Sequence, residues 1–394
     1  MTRRAAALLT ALVFLGVGDA LGQSLPFTAY YQNVPLWSES TEISESALSD
    51  FNRFRIMTDP DFGDFNLEVA YEQLFTLRQR ETVQGIFPGA VPGGGEWLPL
   101  QWTIEENTHV LWQHRFDRLS LGWSPSSTFD LGVGRQAISW ATTLFLTPAD
   151  PFSPFRPADP FREFRAGVDA VRAQVFPGPL SQLDFVVRAT DFEATGTEVT
   201  AVARGLTTWK NWELSGWGGA LYEEPAVAGG AAGSLGAAAI RGEAVVKRVE
   251  GETVFCGTIG VDRRFDVFKR DFYVVVEYQR DGFGAASPEE YADVFTSLAF
   301  QRGELQVLGR DEIASQAQYQ LHPLWSLSFL WLLNLNDPSS LLSPSVVYSA
   351  SDEAIVMGGV FVGVGDDELT PSGGLPSEYG LAATTVYFSV SVFF

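Results

Sequence analysis

The sequence predicts an all-β protein, a transmembrane antiparallel up-and-down β-barrel of about 18 strands, with about 16 strands as the alternative. Three features of the 394-residue chain support this fold class. Apolar and polar residues alternate strictly at the end of the chain, and the same alternation returns about every twenty residues. No apolar run downstream of the N-terminus is long enough for a membrane helix, which needs roughly 20 residues.

The N-terminus predicts a secretory signal peptide over residues 1–22. Arg3 and Arg4 precede an apolar run, Ala5 to Val17, and small residues follow up to Gly22. The next most apolar segment, 323–333, is short and is interrupted by serines on alternate positions. We therefore expect an exported protein that has no helical membrane anchor.

Composition favours one continuous barrel over residues 23–394, since no linker or abrupt change of composition divides the chain. Cys256 is the only cysteine, so an intrachain disulfide is excluded. The formal charge is −22, and only three of the 26 basic residues are lysines, which disfavours nucleic acid as a partner. Because no intrachain disulfide can form, pairing of the backbone between strands must hold the fold together.

The strand pattern is clear in Asn66 to Phe75. Leu67, Val69, Tyr71 and Phe75 lie on one face, while Glu68 and Glu72 lie on the other, as expected for a wall with lipid outside and water inside. Similar alternation occurs in 184–190, 211–222, 235–247, 253–262, 272–280, 312–321, 325–336 and 353–365.

Turn signals order these strands. Short connections are predicted near residues 125–127, 177–179, 208–210, 233–234, 264–269, 322–323 and 351–352, and long ones at 79–107, 140–166, 281–303 and 366–380. With the short set in the periplasm, 18 strands result if Phe27 to Trp37 forms an extra strand, and 16 if Asn52 to Met57 lies outside the barrel. Ser287 to Asp293 predicts a short helix in one long loop, with Ser287 as its N-cap.

The final strand ends on an aromatic residue, which resembles the terminal signature of bacterial outer-membrane proteins. Val386 and four further residues share its lipid face, whereas Tyr387 lies on the other side. The resemblance implies an integral protein of the outer membrane that the barrel-assembly machinery inserts. The residues assigned to this assembly signal are Tyr387, Phe388, Val390, Val392 and Phe394.

Three motifs occur in order between Gly132 and Arg172. They are Gly132-Val133-Gly134-Arg135-Gln136 followed by Trp140, a Pro/Asp/Phe-rich run at 147–156, and Gly167-Val168-Asp169-Ala170-Val171-Arg172. This order resembles porin-like outer-membrane proteins, including alginate-export-type barrels, and a looser likeness extends to His322-Pro323. Where such families have a Trp-Gly pair, this chain has Trp140-Ala141. The resemblance implies a channel.

The loop at 140–166 is the candidate constriction of that channel, since a loop folded into the lumen would narrow it and set its charge. The predicted pore residues are Arg135, Asp150, Arg156, Asp159, Arg162, Glu163, Arg165, Asp169 and Arg172. The alternative is that these charges pair with one another and pin an outside loop to the rim. Strand parity sends Arg135 toward lipid, unless a bulge at Gly134 turns it inward or it lies at the rim.

Parity also predicts charged residues on the lumen wall. They are Glu68, Glu72, Arg188, Arg241, Glu243 and Asp262. In barrels such residues usually pair across neighbouring strands. Cys256 reads as a small packed side chain, and His109 and His114 lie on opposite faces of one strand. No zinc, nucleophile-elbow or metalloprotease motif is present in the sequence, so we predict no enzyme activity, no metal and no cofactor.

The predicted function is passive diffusion of small hydrophilic or anionic solutes through an outer-membrane channel that selects by width and fixed charge. The alternatives are an export pore for an acidic polysaccharide, a barrel-embedded hydrolase and a non-conducting scaffold. The predicted partners are outer-membrane lipids, lipopolysaccharide, the barrel-assembly machinery, and a small solute or anionic saccharide.

Overall fold

The computed structural model describes residues 27–80, 95–152, 157–161, 163–371 and 373–394, so the predicted signal peptide lies outside the described residues. These residues form one antiparallel sheet of 20 strands. The strands are β1 (Thr28–Ser38), β2 (Ala47–Thr58), β3 (Asp61–Phe62), β4 (Phe65–Arg78), β5 (Gln101–Glu106), β6 (Val110–Ser126), β7 (Phe129–Gln136), β8 (Val168–Gly178), β9 (Ser181–Phe192), β10 (Gly196–Trp209), β11 (Trp212–Leu221), β12 (Glu224–Leu235), β13 (Ala238–Val249), β14 (Glu252–Val267), β15 (Arg270–Asp281), β16 (Asp311–His322), β17 (Trp325–Asn334), β18 (Ser340–Ser351), β19 (Ala354–Val364) and β20 (Thr385–Phe393).

Eighteen of these strands form a closed wall, because β1 pairs with β2 on one side and with β20 on the other. Closure leaves no free edge in the wall. The two exceptions are β3 and β5. The two-residue strand β3 pairs with β4. β5 pairs with residues 111–115 of β6, next to the stretch of β6 that pairs with β7. The prediction of 18 strands is confirmed, and the alternative of 16 is wrong because both 28–38 and 47–58 belong to the wall.

The long connections all lie at one end of the barrel. One end, here the turn end, contains both chain ends of the wall and short turns such as 179–180, 236–237 and 268–269. The other, the loop end, contains the long connections 79–109, 137–167, 282–310 and 365–384. The predicted short turns lie at the turn end and the predicted long connections lie at the loop end, but the loop end also contains the short turns 193–195, 222–223 and 250–251.

The predicted helix lies in loop 282–310 as a 3-10 turn, Pro288–Glu290, followed by two short α-helices, Tyr291–Thr296 and Leu298–Gln301. Ser287 is the N-cap residue, as predicted, but its side chain makes no capping hydrogen bond. Instead, the Glu290 carboxylate accepts the backbone N–H of Ala286 at 2.8 Å. No helix of the described ranges is long and apolar enough to cross a membrane.

The outer face of the wall is apolar and exposed, as a surface that contacts lipid must be. In β20, Val386 and Phe388 are exposed while Tyr387 and Ser389 are buried, which confirms the predicted alternation. Other large apolar residues exposed on the strands include Val187, Val227, Ile259, Phe329 and Trp331.

The interior holds two apolar clusters. The first lies against β8 to β14 and includes Trp140, Phe152 and Trp217; the second lies against β1, β2, β4 and β16 to β20 and includes Leu146 and Phe161. Trp140, Leu146, Phe152 and Phe161 all come from loop 137–167. This loop therefore contributes to the packing on both sides of the lumen.

Candidate functional site

Loop 137–167 leaves the wall after β7, crosses the interior and returns at β8. Its Thr142 and Ala149 amides donate to Glu243 on β13, and its Leu144 amide donates to Glu277 on β15 at 2.6 Å. Farther along, Arg53 on β2 donates to the carbonyl oxygen of Phe161 at 3.0 Å. The loop thus contacts the wall on strands far from its own, β13 and β15 on one side and β2 on the other.

Short polar side chains and prolines shape the loop locally. The Asp150 carboxylate accepts the amide of Phe152 at 3.3 Å, and the Asp159 carboxylate accepts the amide of Phe161 at 3.0 Å. Both are turns in which an Asp side chain replaces a backbone acceptor two residues before the donor. Pro148 and Pro151 lack an N–H and fix φ, which suits a chain without regular structure.

Aromatic side chains attach the loop to the wall on both sides. Within the loop, Trp140 packs edge-on against Phe152 with ring centroids 4.8 Å apart. Trp217 on β11 has its ring centroid 6.3 Å from that of Trp140, and its indole donates to the carbonyl oxygen of Ala149 at 2.8 Å. On the other side, Phe161 packs edge-on against Tyr387 of β20, also at 4.8 Å. Such pairs stabilise beyond the area that they bury.

Several of the predicted pore charges are paired with each other. Arg165 lies 2.8 Å from Asp150, which also accepts the Ser139 hydroxyl at 2.8 Å, so Asp150 ties the two ends of the loop together. Arg172 pairs with Asp184 on β9 at 2.5 Å. The structure therefore combines both interpretations of the segment: its charges pair with one another, and the loop that they fix lies inside the barrel.

Arg135 lies at the top of β7 and is 1% exposed. Its guanidinium binds Asp169 of β8 at 2.7 Å and Glu96 at 2.8 Å, and it donates to two backbone carbonyls. Gly134 has a φ of 119°, so the backbone departs from regular strand geometry at the residue where the sequence allowed for a bulge. Arg135 and Asp169 accordingly hold segment 95–100 to the rim, and neither faces lipid.

The remaining predicted loop charges have different environments. Glu163 is half-buried, and this burial raises its pKa while nearby Arg53 opposes the rise. Asp159 is part of the turn described above. The predictions for Arg156 and Arg162 fall outside the described residues.

The predicted wall charges all face the interior. Glu72 binds Arg115, with Glu72 2% exposed, and Glu68 lies 3.4 Å from the Ser120 hydroxyl. Arg241 pairs with Asp262 on the adjacent strand at 3.1 Å, as cross-strand pairing predicts. Arg188 and Glu243 instead bind backbone groups of loop 137–167.

Sequence reasoning missed three groups of interior charges. Arg204 of β10 lies over the Trp140 ring at 5.8 Å, and within the described part of the chain its Nε has no hydrogen-bond partner. Glu277 of β15 accepts the amide of Leu144 in loop 137–167. Loop 282–310 is fixed inside by two ion pairs, Arg302 with Glu198 at 2.6 Å and Lys247 with Glu304. Parity alone would have placed Arg204 and Glu277 on the inner face, but it does not rank one inward charge above another.

The reactive side chains have ordinary packing partners. His114 lies beside the Tyr71 hydroxyl and stacks on Trp102 with centroids 5.7 Å apart, while His109 contacts the carbonyl oxygen of Arg78. Cys256 is buried and donates to Asp281 at 3.1 Å. Within the described residues, no group of three or more His, Cys, Asp or Glu side chains is placed to hold a metal ion.

Comparison with solved structures places this fold among outer-membrane porins. OccAB1 of Acinetobacter baumannii aligns with a TM-score of 0.56 at 10% identity over 93% of this chain and 96% of that chain. A BenF-like porin from Pseudomonas fluorescens Pf-5 aligns with a TM-score of 0.56 at 10% identity over 94% and 98%. OpdK of Pseudomonas aeruginosa, solved with vanillate, aligns with a TM-score of 0.54 at 10% identity over 93% and 98%.

A search of protein-family models and a search of curated proteins find no match. The likeness to solved structures therefore concerns the fold, which is that of a porin-like barrel, as predicted. The narrower resemblance to alginate-export barrels is not supported by these structures.

Proposed function

We propose that this protein is an outer-membrane channel for passive diffusion of small hydrophilic solutes, with a preference for anions. The observation that carries the proposal is the course of loop 137–167 through a closed 18-strand wall. A loop fixed across a barrel of this size leaves a narrow aqueous path, and the residues beside that path decide what passes. The shared fold with porins supports this function.

The proposed location is the bacterial outer membrane, with the loop end outside and the turn end in the periplasm. The exposed apolar wall requires a lipid environment, and the long connections at one end fit the asymmetry of outer-membrane barrels. Lipids and lipopolysaccharide would surround the wall, and the barrel-assembly machinery would insert it.

The anion preference follows from Arg204. In the register of β10, it lies opposite Asp184 on one neighbouring strand and Trp217 on the other, and both of these side chains face the interior. Asp184 is already bound to Arg172 and Trp140, whereas among the described residues the Arg204 Nε has no hydrogen-bond partner. A half-buried guanidinium beside the loop is suited to binding a carboxylate or phosphate in passing.

The test is single-channel conductance in planar bilayers, with reversal potentials under a salt gradient. In Arg204→Met, which keeps the side-chain length, we expect conductance to persist and the anion-to-cation permeability ratio to fall. A unit charge 4 Å away is worth about 1 kcal/mol in water, so the ratio should fall by about fivefold. The matched control is Arg264→Met, which removes an exposed arginine from the turn end.

A folded wild-type protein without conductance would contradict the channel and favour a scaffold. Conductance with an unchanged permeability ratio in Arg204→Met would contradict the anion preference alone.

A further inference from the structure

Two carboxylates of the inner wall hold the middle of loop 137–167. Glu243 accepts the amides of Thr142 and Thr143 at 2.6 and 3.1 Å, and that of Ala149 at 3.0 Å. Glu277, two strands along the wall, is the second carboxylate. It accepts three consecutive amides, those of Leu144, Phe145 and Leu146, at 2.6, 2.9 and 3.0 Å.

These six amides belong to a segment without helix or strand, so they would otherwise require water or other acceptors. A carboxylate offers about four acceptor positions, and its bonds to N–H groups are stronger than neutral ones. Glu277 is 1% exposed and Glu243 is 4% exposed. Hydrogen bonds from the loop therefore replace much of the hydration that each buried charge has lost.

Other contacts press the same segment against the same side of the barrel. Gln306 of loop 282–310 accepts the Thr147 amide and donates to the carbonyl oxygen of Phe145 at 2.7 Å. Gly230 on β12 lies so close that a Cβ there would come within 2.3 Å of the Thr142 hydroxyl. The loop starts and ends at β7 and β8, so these contacts fix how far it reaches across the lumen.

We propose that Glu243 and Glu277 are positioning residues that set the size limit of the pore by holding loop 137–167 in a single place. The inference rests on the proposed channel function and adds to it the groups that determine the solute size. Neither carboxylate needs to touch the solute, since both act through the backbone of the loop.

The experiment compares Glu243→Gln, Glu277→Gln and the double variant with wild type. Glutamine keeps the size of the side chain but turns an N–H₂ group toward loop amides that need an acceptor. Wild type should show one steady conductance level and exclude larger neutral sugars from proteoliposomes. The variants should lose that single level, show higher and fluctuating conductance, and admit larger sugars.

Two further variants separate positioning from charge and from misfolding. Glu353→Gln, in the turn between β18 and β19 at the turn end, removes an exposed carboxylate that does not contact the loop, and should behave as wild type. Gly230→Val displaces Thr142 without changing any charge, and should reproduce the effect of Glu243→Gln even if a glutamine variant fails to fold. Folding is checked by the shift in gel mobility on heating.

Each outcome decides between the two proposals. If wild type conducts, and the folded variants keep its conductance and its exclusion of sugars, the positioning role is overturned and the channel function stands. A silent wild type with a conducting double variant would support the role of the two carboxylates and overturn the passive channel. Silence in all of them would overturn both.

Discussion

Removing Glu72 should destabilise the barrel strongly, because it balances several buried arginines. Its carboxylate binds Arg55 and lies 2.5 Å from Arg115, and all three side chains are nearly inaccessible. Asp117, which a β-bulge in the pairing of β4 with β6 accommodates, binds Arg55 at 2.7 Å and Arg118 at 2.6 Å. The bulge thus brings a second carboxylate into the same network.

In Glu72→Gln the shape of the side chain is kept while its charge is lost. Three buried arginines would then face Asp117 and the more exposed Glu68, whose side chain is 41% accessible. Breaking one buried pair typically costs about 3–5 kcal/mol, because an uncompensated charge stays buried. We expect the free energy of unfolding to fall by about 3 kcal/mol, the lower end of that range, since Arg55 keeps its ion pair with Asp117.

The assay is equilibrium unfolding in guanidinium chloride in lipid vesicles, followed by tryptophan fluorescence. The matched control is Asp271→Asn, which breaks the Arg264–Asp271 pair at the turn end, where the two side chains are 70% and 44% accessible. An exposed pair contributes about 0–1 kcal/mol. If Glu72→Gln and Asp271→Asn lower the free energy of unfolding equally, the buried network does not stabilise the wall more than an exposed pair does.

Two further predictions concern the loop end. Gly134→Ala should lower the free energy of unfolding by about 1–3 kcal/mol, because φ is 119° and a Cβ would lie 2.3 Å from the carbonyl oxygen of Leu119. The control is Gly178→Ala, which should change the free energy of unfolding little, because the space around a Cβ at this position is open. Burial and hydrogen bonding to Asp337 raise the pKa of Tyr291 above its usual 10.0. The contribution of this hydroxyl to holding the loop in place is therefore complete below that pH. It falls as the pH rises further, because Tyr291 ionises first in the detached loop. Proteolysis of loop 282–310 should therefore accelerate as the pH rises above about 10, less so in Tyr291→Phe, and equal acceleration in both proteins would contradict this assignment.

Much of the fold could be predicted because membrane strands have a simple two-residue period. Leu67, Val69 and Tyr71 had to face lipid if Glu68 and Glu72 were to face water, and the structure agrees. The strand count was harder. In β1 the buried residues include Tyr30, Gln32 and Val34, a mixture without a clear apolar face, so only the pairing of β1 with β2 and β20 decides for 18 strands.

The candidate site was only partly predictable. The segment from Gly132 to Arg172 was identified from the order of its motifs and their resemblance to porin-like proteins, and pairing among its charges was one of the alternatives. The sequence left the orientation of Arg135 open between the lipid face, the lumen and the rim, and the backbone of Gly134 decides it by interrupting the regular alternation of faces. The contacts of Arg204 depend on Trp140, which reaches it from another part of the chain.

The sequence by itself determined that the chain forms a membrane β-barrel. Alternation, turn residues and loop lengths are local properties, and together with the two-residue period of a strand they are enough to predict the wall. Only the tertiary structure decided what fills that wall. Leu144 and Glu277 are separated by 133 positions along the chain, yet the amide of one binds the carboxylate of the other. A contact of this kind depends on the closure of the barrel and the path of one loop through it, and neither leaves a signal in the residues near either partner.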